Sequence, residues 1–351
     1  MWKRHFFLTI IVASLALTSV FGQPLRVTEL PQQQLSMTPG QYSGIAWVSG
    51  DRYAVVDDKL PGGGIVFFDI PLRKNGTVRV GSVQRIVPEA TSSAGVTGLD
   101  NEGAVYAEGK LYVSAESDQS IREYDLEGAA TGKSFSIPAD MGPSAILRNG
   151  GFEALAWNPV TGKFWTTTEF PLKKDGKASR LHRLQRFDAA HQPDGRWLYQ
   201  MDEPVMAEKD RGAVMAYAHG ISAMTALDDG RLIILEREVY VPVGDPREIL
   251  DRSFTKMKLY VVDPTGDSKS ILPKQLFCEF ETHITLTTAG IDVALANYEG
   301  MCLGPRLPDG RRCMMLIADS QAGMASLASR IGRKTLTREF VKVLLLEGEG
   351  I

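Results

Sequence analysis

The sequence has few of the residue types that crosslink a chain or anchor it in a membrane. Of 351 residues only three are cysteines, Cys278, Cys302 and Cys313, which is too few for a disulfide scaffold. Cys302 and Cys313 flank a predicted hairpin and could form one disulfide, but three buried free thiols are an equal alternative. After the N-terminal segment, no stretch approaches the ~18 uninterrupted apolar residues of a membrane-spanning helix. These absences argue against a disulfide-rich module and against a membrane-spanning helix after the N-terminal segment.

An excess of positive charge is also missing. The chain has 39 basic and 42 acidic side chains, and its formal net charge at pH 7 is -3. Proteins that bind nucleic acid usually carry a basic surface, so we do not expect a nucleic-acid partner. The 34 glycines and 18 prolines are spread along the chain and indicate many turns. Such a composition favours a strand-rich globular fold.

The first 22 residues have the pattern of a secretory signal. Lys3 and Arg4 precede an apolar run over residues 6–17, and Gly22 provides a small residue at the expected cleavage position. We expect cleavage after Gly22, which leaves residues 23–351 as a single domain without a stable membrane anchor. The expected location is the periplasm or the outside of the cell. An uncleaved N-terminal anchor is the alternative.

One short pattern recurs five times along the chain. It consists of Ser or Glu, then Gly or Ala, then an apolar strand, and it occupies residues 42–47, 101–106, 152–157, 221–226 and 298–303. A glycine-containing turn and a second apolar strand follow each copy, which together predict a β-hairpin. The second strand ends in an acid each time. A third strand comes next and also closes on an acid.

A fourth strand is predicted in four of the five units, around residues 78–86, 134–137, 196–201 and 275–280. The fifth unit has none because the chain stops, but residues 25–30 predict an isolated strand before the first unit. We therefore predict an all-β fold, a β-propeller of five four-stranded blades closed by the N-terminal strand. Sharing the last blade between both termini removes an exposed sheet edge. A degenerate sixth blade and a repeat-bearing sandwich are the alternatives.

The repeat also predicts a ring of polar side chains around the central channel. The first strand of each propeller blade lines this channel, so the residues that open these strands surround one mouth. They are Ser43, Glu102, Glu153, Ser222 and Glu299. Carboxylates ~5 Å apart repel each other by roughly 3 kcal/mol per pair at an effective dielectric constant of about 20. Because the pattern offers only oxygen ligands, we predict that Ca²⁺ neutralises them, with a water-filled acidic channel as the alternative.

The loop between the second and third strands emerges at the same mouth. The acids that end the second strands are therefore the candidate catalytic residues, namely Asp58, Glu116, Glu169, Glu236 and Asp319. The last three blades have long segments here, which we expect to form loops over the ring. Two of these segments are basic and suit a phosphate ester, although solvated surface charge is the alternative. The candidate substrate-binding residues are Lys173, Lys174, Arg183, Arg237 and Arg330.

Three motifs carry a resemblance to a known family. They are Phe-Glu-Ala-Leu-Ala-Trp at 152–157, Ile-Ser-Ala-Met at 221–224 with Asp-Gly-Arg-Leu at 229–232 and Glu236, and Asn-Tyr-Glu-Gly-Met at 297–301 with Leu-Pro-Asp-Gly-Arg at 307–311. In these motifs the chain resembles the phytase-like family of secreted bacterial proteins, described as having esterase-like activity. The resemblance covers essentially the whole mature chain. It implies a β-propeller with hydrolytic activity.

The five ring residues alone are also similar to the central calcium site of the soluble calcium-activated nucleotidases. Those proteins are five-bladed propellers that hydrolyse nucleoside diphosphates. This second resemblance supports the metal site and the blade count, but it does not extend to the surrounding loops.

The leading hypothesis is a calcium-dependent hydrolase of phosphate esters, whose substrate is a small, anionic, phosphorylated molecule. Calcium would polarise the phosphoryl group and orient a water. Glu169 directly precedes the most basic segment and is the first choice for the general base. A serine esterase is disfavoured because the chain lacks a Gly-x-Ser-x-Gly motif. Two alternatives stay open, a binding module with a structural calcium and a lactonase-like hydrolase of carboxylic esters.

Overall fold

The fold is a five-bladed β-propeller, as the repeat predicts. In the computed structural model, which describes residues 25–37, 40–93, 99–176, 178–287, 290–293, 295–320 and 335–351, five antiparallel sheets each contain one copy of the repeat. The first strands of the sheets contact one another in a closed circle, so each sheet is one blade. The predicted signal segment, residues 1–22, lies outside the described residues.

Two short strands precede the first blade, β1 (Arg26–Glu29) and β2 (Gln33–Leu35). Blade 1 contains β3 (Tyr42–Ser49), β4 (Arg52–Asp57), β5 (Ile65–Asp69) and β6 (Gln84–Ile86). Blade 2 contains β7 (Asn101–Ala107), β8 (Lys110–Ala115), β9 (Ser120–Tyr124) and β10 (Ala130–Ser134). Blade 3 contains β11 (Phe152–Asn158), β12 (Lys163–Thr168), β13 (Leu181–Phe187) and β14 (Pro193–Gln200).

Blade 4 contains β15 (Val214–Ala226), β16 (Leu232–Pro242), β17 (Phe254–Val262) and β18 (Lys274–Thr287), and its sheet continues into β19 (Gly290–Val293) and β22 (Thr335–Thr337). Blade 5 contains β20 (Asn297–Arg306), β21 (Arg312–Asp319) and β23 (Glu339–Glu347). The α-helices are α1 (Glu89–Ser93), α2 (Glu208–Arg211) and α3 (Pro246–Arg252). Short 3-10 turns span Val80–Ser82, Ala139–Met141, Pro143–Ala145 and Lys173–Asp175.

The N-terminal strand closes the ring. β1 pairs antiparallel with β23, with Arg26 opposite Glu347, and so supplies the fourth strand of blade 5. β2 pairs with the other end of the same strand. The Nζ of Lys342 reinforces this junction by donating to Glu29 Oε1 at 2.8 Å. This pairing confirms the prediction that the N-terminal strand completes the last blade and closes the propeller.

The blades are held together by apolar side chains that alternate along each strand. In β4, Tyr53 and Val55 pack in the core shared with blade 5, whereas Ala54 and Val56 pack in the core shared with blade 2. Equivalent cores lie between the other neighbouring blades. Because both faces of a blade are covered by its neighbours, its second strand is buried at nearly every position.

The structure corrects the prediction of a long loop in blade 4. The extra residues there lengthen β16 and β17 and form α3 between them, and this extension has its own small core of Val241, Ile249, Ile284 and Leu295. The fourth strand of blade 2 also ends at Ser134, where the sequence predicts it to begin.

The three cysteines, Cys278, Cys302 and Cys313, are all buried and free, so Cys302 and Cys313 do not form the disulfide considered above. Within the part of the chain that the structure describes, no helix has both the length and the apolar character needed to cross a membrane.

Small residues let the inner strands of neighbouring blades approach each other. A Cβ atom added at Gly44 would lie 2.2 Å from the carbonyl oxygen of Glu102 in the next blade. One added at Gly103 would lie 2.8 Å from the carbonyl oxygen of Glu153. These contacts explain why the residue directly after the ring residue is Gly in blades 1 and 2.

We predict that Gly44→Ala lowers the free energy of unfolding by about 1–3 kcal/mol, because the added methyl group collides with backbone atoms. Gly81→Ala is the matched control, since a Cβ there would meet nothing within 4 Å. Urea unfolding of the two variants measures the difference. Equal stability of the two would contradict the close packing of the inner strands.

Candidate metal centre at the acidic mouth

Every ring residue lies at a β-bulge between the first and second strands of its blade. The pairing skips Ser43, Glu153, Ser222 and Glu299, and in blade 2 it skips Glu102 together with Gly103. A bulge locally bends the strand and re-aims the side chain it carries. The same irregularity in five blades therefore directs five polar side chains toward one end of the channel.

The ring side chains are withdrawn from solvent. Ser43, Glu102, Glu153 and Ser222 are buried, and the side chain of Glu299 is 12% exposed. Ser222 donates a hydrogen bond from Oγ to the carbonyl oxygen of Tyr298 at 3.1 Å, which ties the inner strands of blades 4 and 5 together. The ring thus combines buried carboxylates with at least one hydroxyl that has a structural partner.

The carboxylates at this end repel one another, and we call the group the acidic mouth. It consists of Asp58, Asp100, Glu102, Glu116, Glu153, Glu169, Glu299 and Asp319. Burial raises the pKa of Glu102 well above its usual value, and Glu299, Asp100 and Asp58 raise it further. Burial likewise raises the pKa of Glu153, with Glu102, Glu169 and Glu299 adding to the effect. Part of the negative charge at the mouth is therefore left uncompensated by the protein.

Arg237 supplies the main internal counter-charge. It extends from β16, is 4% exposed, and donates from Nη1 to Glu299 Oε1 at 2.9 Å and from Nη2 to Glu169 Oε1. Burial lowers the pKa of Arg237, but the surrounding acids, Glu169 first among them, outweigh this and raise it. The structure therefore places this candidate substrate-binding residue inside the acidic mouth, where it is bound to two carboxylates.

Three acids from blades 1 and 2 form a candidate ligand set for a metal ion. One carboxylate oxygen from each of Asp58, Asp100 and Glu102 lies within 4.8 Å of the others. Asp58 Oδ1 is buried and has no hydrogen-bond partner, which is costly for a carboxylate oxygen. Oxygen atoms in this arrangement suit a hard cation such as Ca²⁺. These residues could therefore hold a metal ion, although only Glu102 among them belongs to the predicted ligand ring.

Asp100 is the functional candidate that the sequence reasoning missed. It directly precedes β7 and has a left-handed backbone conformation with φ of 51°, which a few residue types besides glycine tolerate. Its neighbour Asn101 carries a second buried oxygen, Oδ1, without a hydrogen-bond partner. The only sequence signal was the run Asp-Asn-Glu at 100–102, where the acid two positions before the ring residue has no counterpart in the other blades.

Four of the five candidate catalytic acids belong to the acidic mouth. Asp58 follows β4, Glu116 follows β8 and accepts from the backbone N–H of Gly151 at 2.8 Å, and Asp319 ends β21. Burial raises the pKa of Glu169 to about 7, against the lowering effect of Arg237.

Glu236, the fifth candidate catalytic acid, has its contacts elsewhere. Its Oε1 accepts from Tyr199 Oη and Lys274 Nζ, each at 2.5 Å, and its Oε2 accepts from the backbone N–H of Asp202 at 3.1 Å. Because β16 runs on to Pro242, Glu236 lies inside a strand and not at its end. Its neighbour Arg237, on the opposite face of the strand, reaches the mouth instead.

The candidate substrate-binding cations of blade 3 are engaged by nearby groups. Lys173 Nζ donates to the carbonyl oxygen of Ser144 at 3.1 Å, Lys174 pairs with Asp140 at 2.9 Å, and Arg183 forms two hydrogen bonds to Asp175. Arg330 lies outside the described residues. An exposed cation at the mouth's edge is Lys59, whose side chain is 57% exposed and forms ion pairs with Asp58 at 2.5 Å and Asp100 at 3.7 Å.

Comparison with known proteins agrees with the motifs and the fold. The sequence model of a family described as "Phytase-like: Esterase-like activity of phytase" matches residues 38–321. The chain belongs to this family. The match covers all five copies of the repeat and the acids of the acidic mouth.

Solved structures resemble the phytase-like chain only distantly. A streptogramin B lyase is 9% identical with a TM-score of 0.38, covering 92% of this chain and 98% of its own. An aldose sugar dehydrogenase from Streptomyces coelicolor, in its PQQ-bound form, is 10% identical with a TM-score of 0.42, covering 92% and 99%. A glutaminyl cyclase from Myxococcus xanthus is 10% identical with a TM-score of 0.38, covering 93% and 100%. At these scores the likeness carries no argument about activity, and no curated protein matches the chain.

We predict that Asp58→Asn weakens calcium binding about tenfold or more, because it removes the negative charge from a group with a buried, unpartnered oxygen. Isothermal titration calorimetry with CaCl₂ measures the affinity. Asp69→Asn is the control, since Asp69 ends β5 at the opposite face and pairs with Arg52. Unchanged affinity in Asp58→Asn would remove Asp58 from the ligand set.

The raised pKa of Glu102 predicts a pH-dependent stability in the presence of a chelator. A carboxyl whose folded pKa is raised holds its proton more tightly in the folded state, so its ionisation destabilises the fold as the pH rises above the unfolded value of about 4.3. Glu102→Gln should therefore gain stability relative to the unchanged protein, and the gain should grow with pH. Thermal unfolding between pH 4 and 8 in EGTA measures it, and a pH-independent difference would exclude uncompensated charge at Glu102.

Proposed function

We propose that this phytase-like protein is an exported, calcium-dependent hydrolase of phosphate esters that acts at the acidic mouth. The observation that carries the proposal is the group of Asp58, Asp100 and Glu102, in which one carboxylate oxygen of each residue lies within 4.8 Å of the others and Asp58 Oδ1 is buried without a hydrogen-bond partner. Converging carboxylates with too little internal counter-charge favour a bound cation, and a bound cation at an open mouth can contact a phosphoryl oxygen.

The ligands would come from the side of blades 1 and 2. Asp58, Asp100 and Glu102 would hold the ion, and the further ring oxygens of Ser43, Glu153, Ser222 and Glu299 lie around the same end of the channel. When bound, calcium supplies polarisation of the phosphoryl group and neutralises charge that develops on its oxygens.

Glu169 is positioned to accept the proton of an attacking water. The guanidinium of Arg237 binds Oε1 of Glu169 and at the same time binds Glu299, so it fixes the carboxylate relative to the ring. The backbone of Glu169 is fixed as well, because its N–H donates to Gly151 and its carbonyl oxygen accepts from Ile221. A base held by surrounding structure needs little reorganisation during proton transfer.

Lys59 is the side chain best placed to contact the anionic substrate. It is largely exposed and its partners Asp58 and Asp100 belong to the acidic mouth, whereas Lys173, Lys174 and Arg183 bind groups outside the mouth. A mobile ammonium group can exchange its carboxylate partner for a phosphate oxygen as substrate enters. The proposal therefore moves the substrate-binding role from the blade 3 segment to Lys59, with Arg237 as a positioning residue.

The proposal predicts calcium-dependent product release from at least one member of a panel of phosphate monoesters, nucleoside diphosphates and phytate. Each is assayed with calcium and with EGTA, and simple carboxylic esters and lactones are included. Turnover of carboxylic esters or lactones alone would replace the phosphate hydrolase with the lactonase-like alternative. Calcium that raises the melting temperature without any turnover would favour a binding module with a structural ion.

Glu169→Gln tests the base on any substrate that is turned over. We expect kcat to fall about 100-fold or more, while calcium affinity changes little, because the amide cannot accept the proton. Glu123→Gln is the control, since Glu123 is a buried acid of blade 2 bonded to Tyr112 and Thr131 and remote from the mouth. Unchanged kcat in Glu169→Gln would move the role to another acid, with Glu116 the next to test.

A further inference from the structure

The central channel has a second opening at the face opposite the acidic mouth. There the inner strands end, and they diverge around a cavity of about 280 Å³ to which all five blades contribute. We call it the apolar funnel and define it by Trp47, Val48, Tyr106, Trp157, Leu303 and Arg312, which are among the residues that line it. Nothing in the proposed function uses this cavity.

A layer of apolar side chains separates the funnel from the mouth. Two positions after the ring residues, the inner strands carry buried residues that fill the channel, namely Ile45, Ala104, Leu155, Met224 and Met301. Only about 10 Å³ remains at this level, less than a comfortable space for one water. A molecule in the funnel therefore cannot contact the acids of the mouth, and the two ends can be tested independently.

The walls of the funnel are large apolar surfaces that the fold leaves uncovered. Trp47, Tyr106 and Trp157 lie four positions after ring residues, and all three are only half-buried although every residue before them in the strand is buried. Trp47 is held in place because its Nε1 donates to the carbonyl oxygen of Gly50 at 3.0 Å. A concave, preformed site with fixed aromatic walls is typical of sites for small molecules with a flat apolar body.

A single basic side chain, Arg312, is among the described residues that line the funnel. Arg312 begins β21, is 18% exposed, and is oriented by a 2.8 Å hydrogen bond from Nε to the carbonyl oxygen of Gly304. Its guanidinium carbon lies 6.0 Å from the centre of the Trp47 ring. Asp228 also lines the funnel and forms an ion pair with Arg312, with Oδ2 3.9 Å from Nη1. An anionic group that binds Arg312 therefore competes with Asp228 for the guanidinium, and it can displace this carboxylate because the ion pair is longer than a hydrogen bond.

We propose that the apolar funnel binds a small amphipathic anion, with a flat apolar body against Trp47, Tyr106 and Trp157 and its anionic group at Arg312. The cavity suits a body of one or two fused rings, and the aromatic walls contact such a body across its faces. Arg312 selects for a carboxylate, sulfonate or similar group, because one charge-assisted hydrogen bond from a half-buried guanidinium adds to the apolar contacts.

Two fluorescent probes test the proposal on the full-length chain. The anion 8-anilinonaphthalene-1-sulfonate should bind saturably at one site, with energy transfer from the nearby tryptophans, and the uncharged N-phenyl-1-naphthylamine should bind without help from Arg312. Arg312→Met keeps an apolar stem and removes the charge. It should weaken binding of the sulfonate about tenfold or more and leave binding of the neutral probe within about twofold.

Arg311→Met is the matched control, because Arg311 is the adjacent residue, pairs with Asp309 and does not line the funnel. It should change neither affinity, and Glu102→Gln at the mouth should change neither as well. Near-ultraviolet circular dichroism verifies that each variant is folded, and Arg312→Gln replaces Arg312→Met if the latter is not. The proposal is wrong if the folded protein binds neither probe, or if removing the charge at position 312 leaves sulfonate binding unchanged.

Discussion

The close approach of five inner strands is the constraint on which the rest of the molecule depends. A ring of only five blades brings the first strands close enough that Gly44 and Gly103 face the backbone of the next blade without room for a side chain. Where the strands are closest, each inner strand bends at a β-bulge formed by the ring residue, which directly precedes the small residue. Because the inner strands are so close, the carboxylates of Glu102, Glu153 and Glu299 lie near one another and repel one another. Packing and charge at the mouth therefore have a single geometric origin.

Much of the fold was predictable because it depends on local periodicity. Alternating apolar positions and glycine turns define hairpins wherever they occur, and the missing last strand required a partner such as β1. The bounds in blade 4 were not predictable, since Glu236 has the appearance of a strand end while β16 continues for six more residues to Pro242. Whether a strand continues depends on contacts such as that of Val241 with Ile249, which are remote from the repeat.

The candidate site was predicted less completely than the fold. The repeat marks which residues open the inner strands, but it cannot say that Arg237 leaves blade 4 to bind Glu169 and Glu299, because that depends on the face of β16 from which it projects. Asp100 lies outside the repeating pattern altogether. The basic residues of blade 3 also look available in the sequence, whereas Asp140 and Asp175 bind Lys174 and Arg183 in the folded chain. Which charged side chains form ion pairs depends on which residues are neighbours in the folded structure, and the sequence does not show this directly.

The closure of blade 5 has a consequence for how the protein is made. β1 precedes every other described strand and β23 follows all of them, so β1 has no partner until the strands between them have been synthesised. Blade 1 cannot complete its packing until then either, because the core it shares with blade 5 includes Val341, Val343 and Leu345 of β23. Contacts between such distant segments form slowly, and until they do the growing chain exposes an unpaired strand and an open apolar face. Aggregation is therefore most probable before the last strand has been added, and a protein truncated shortly before β23 would remain in that vulnerable state.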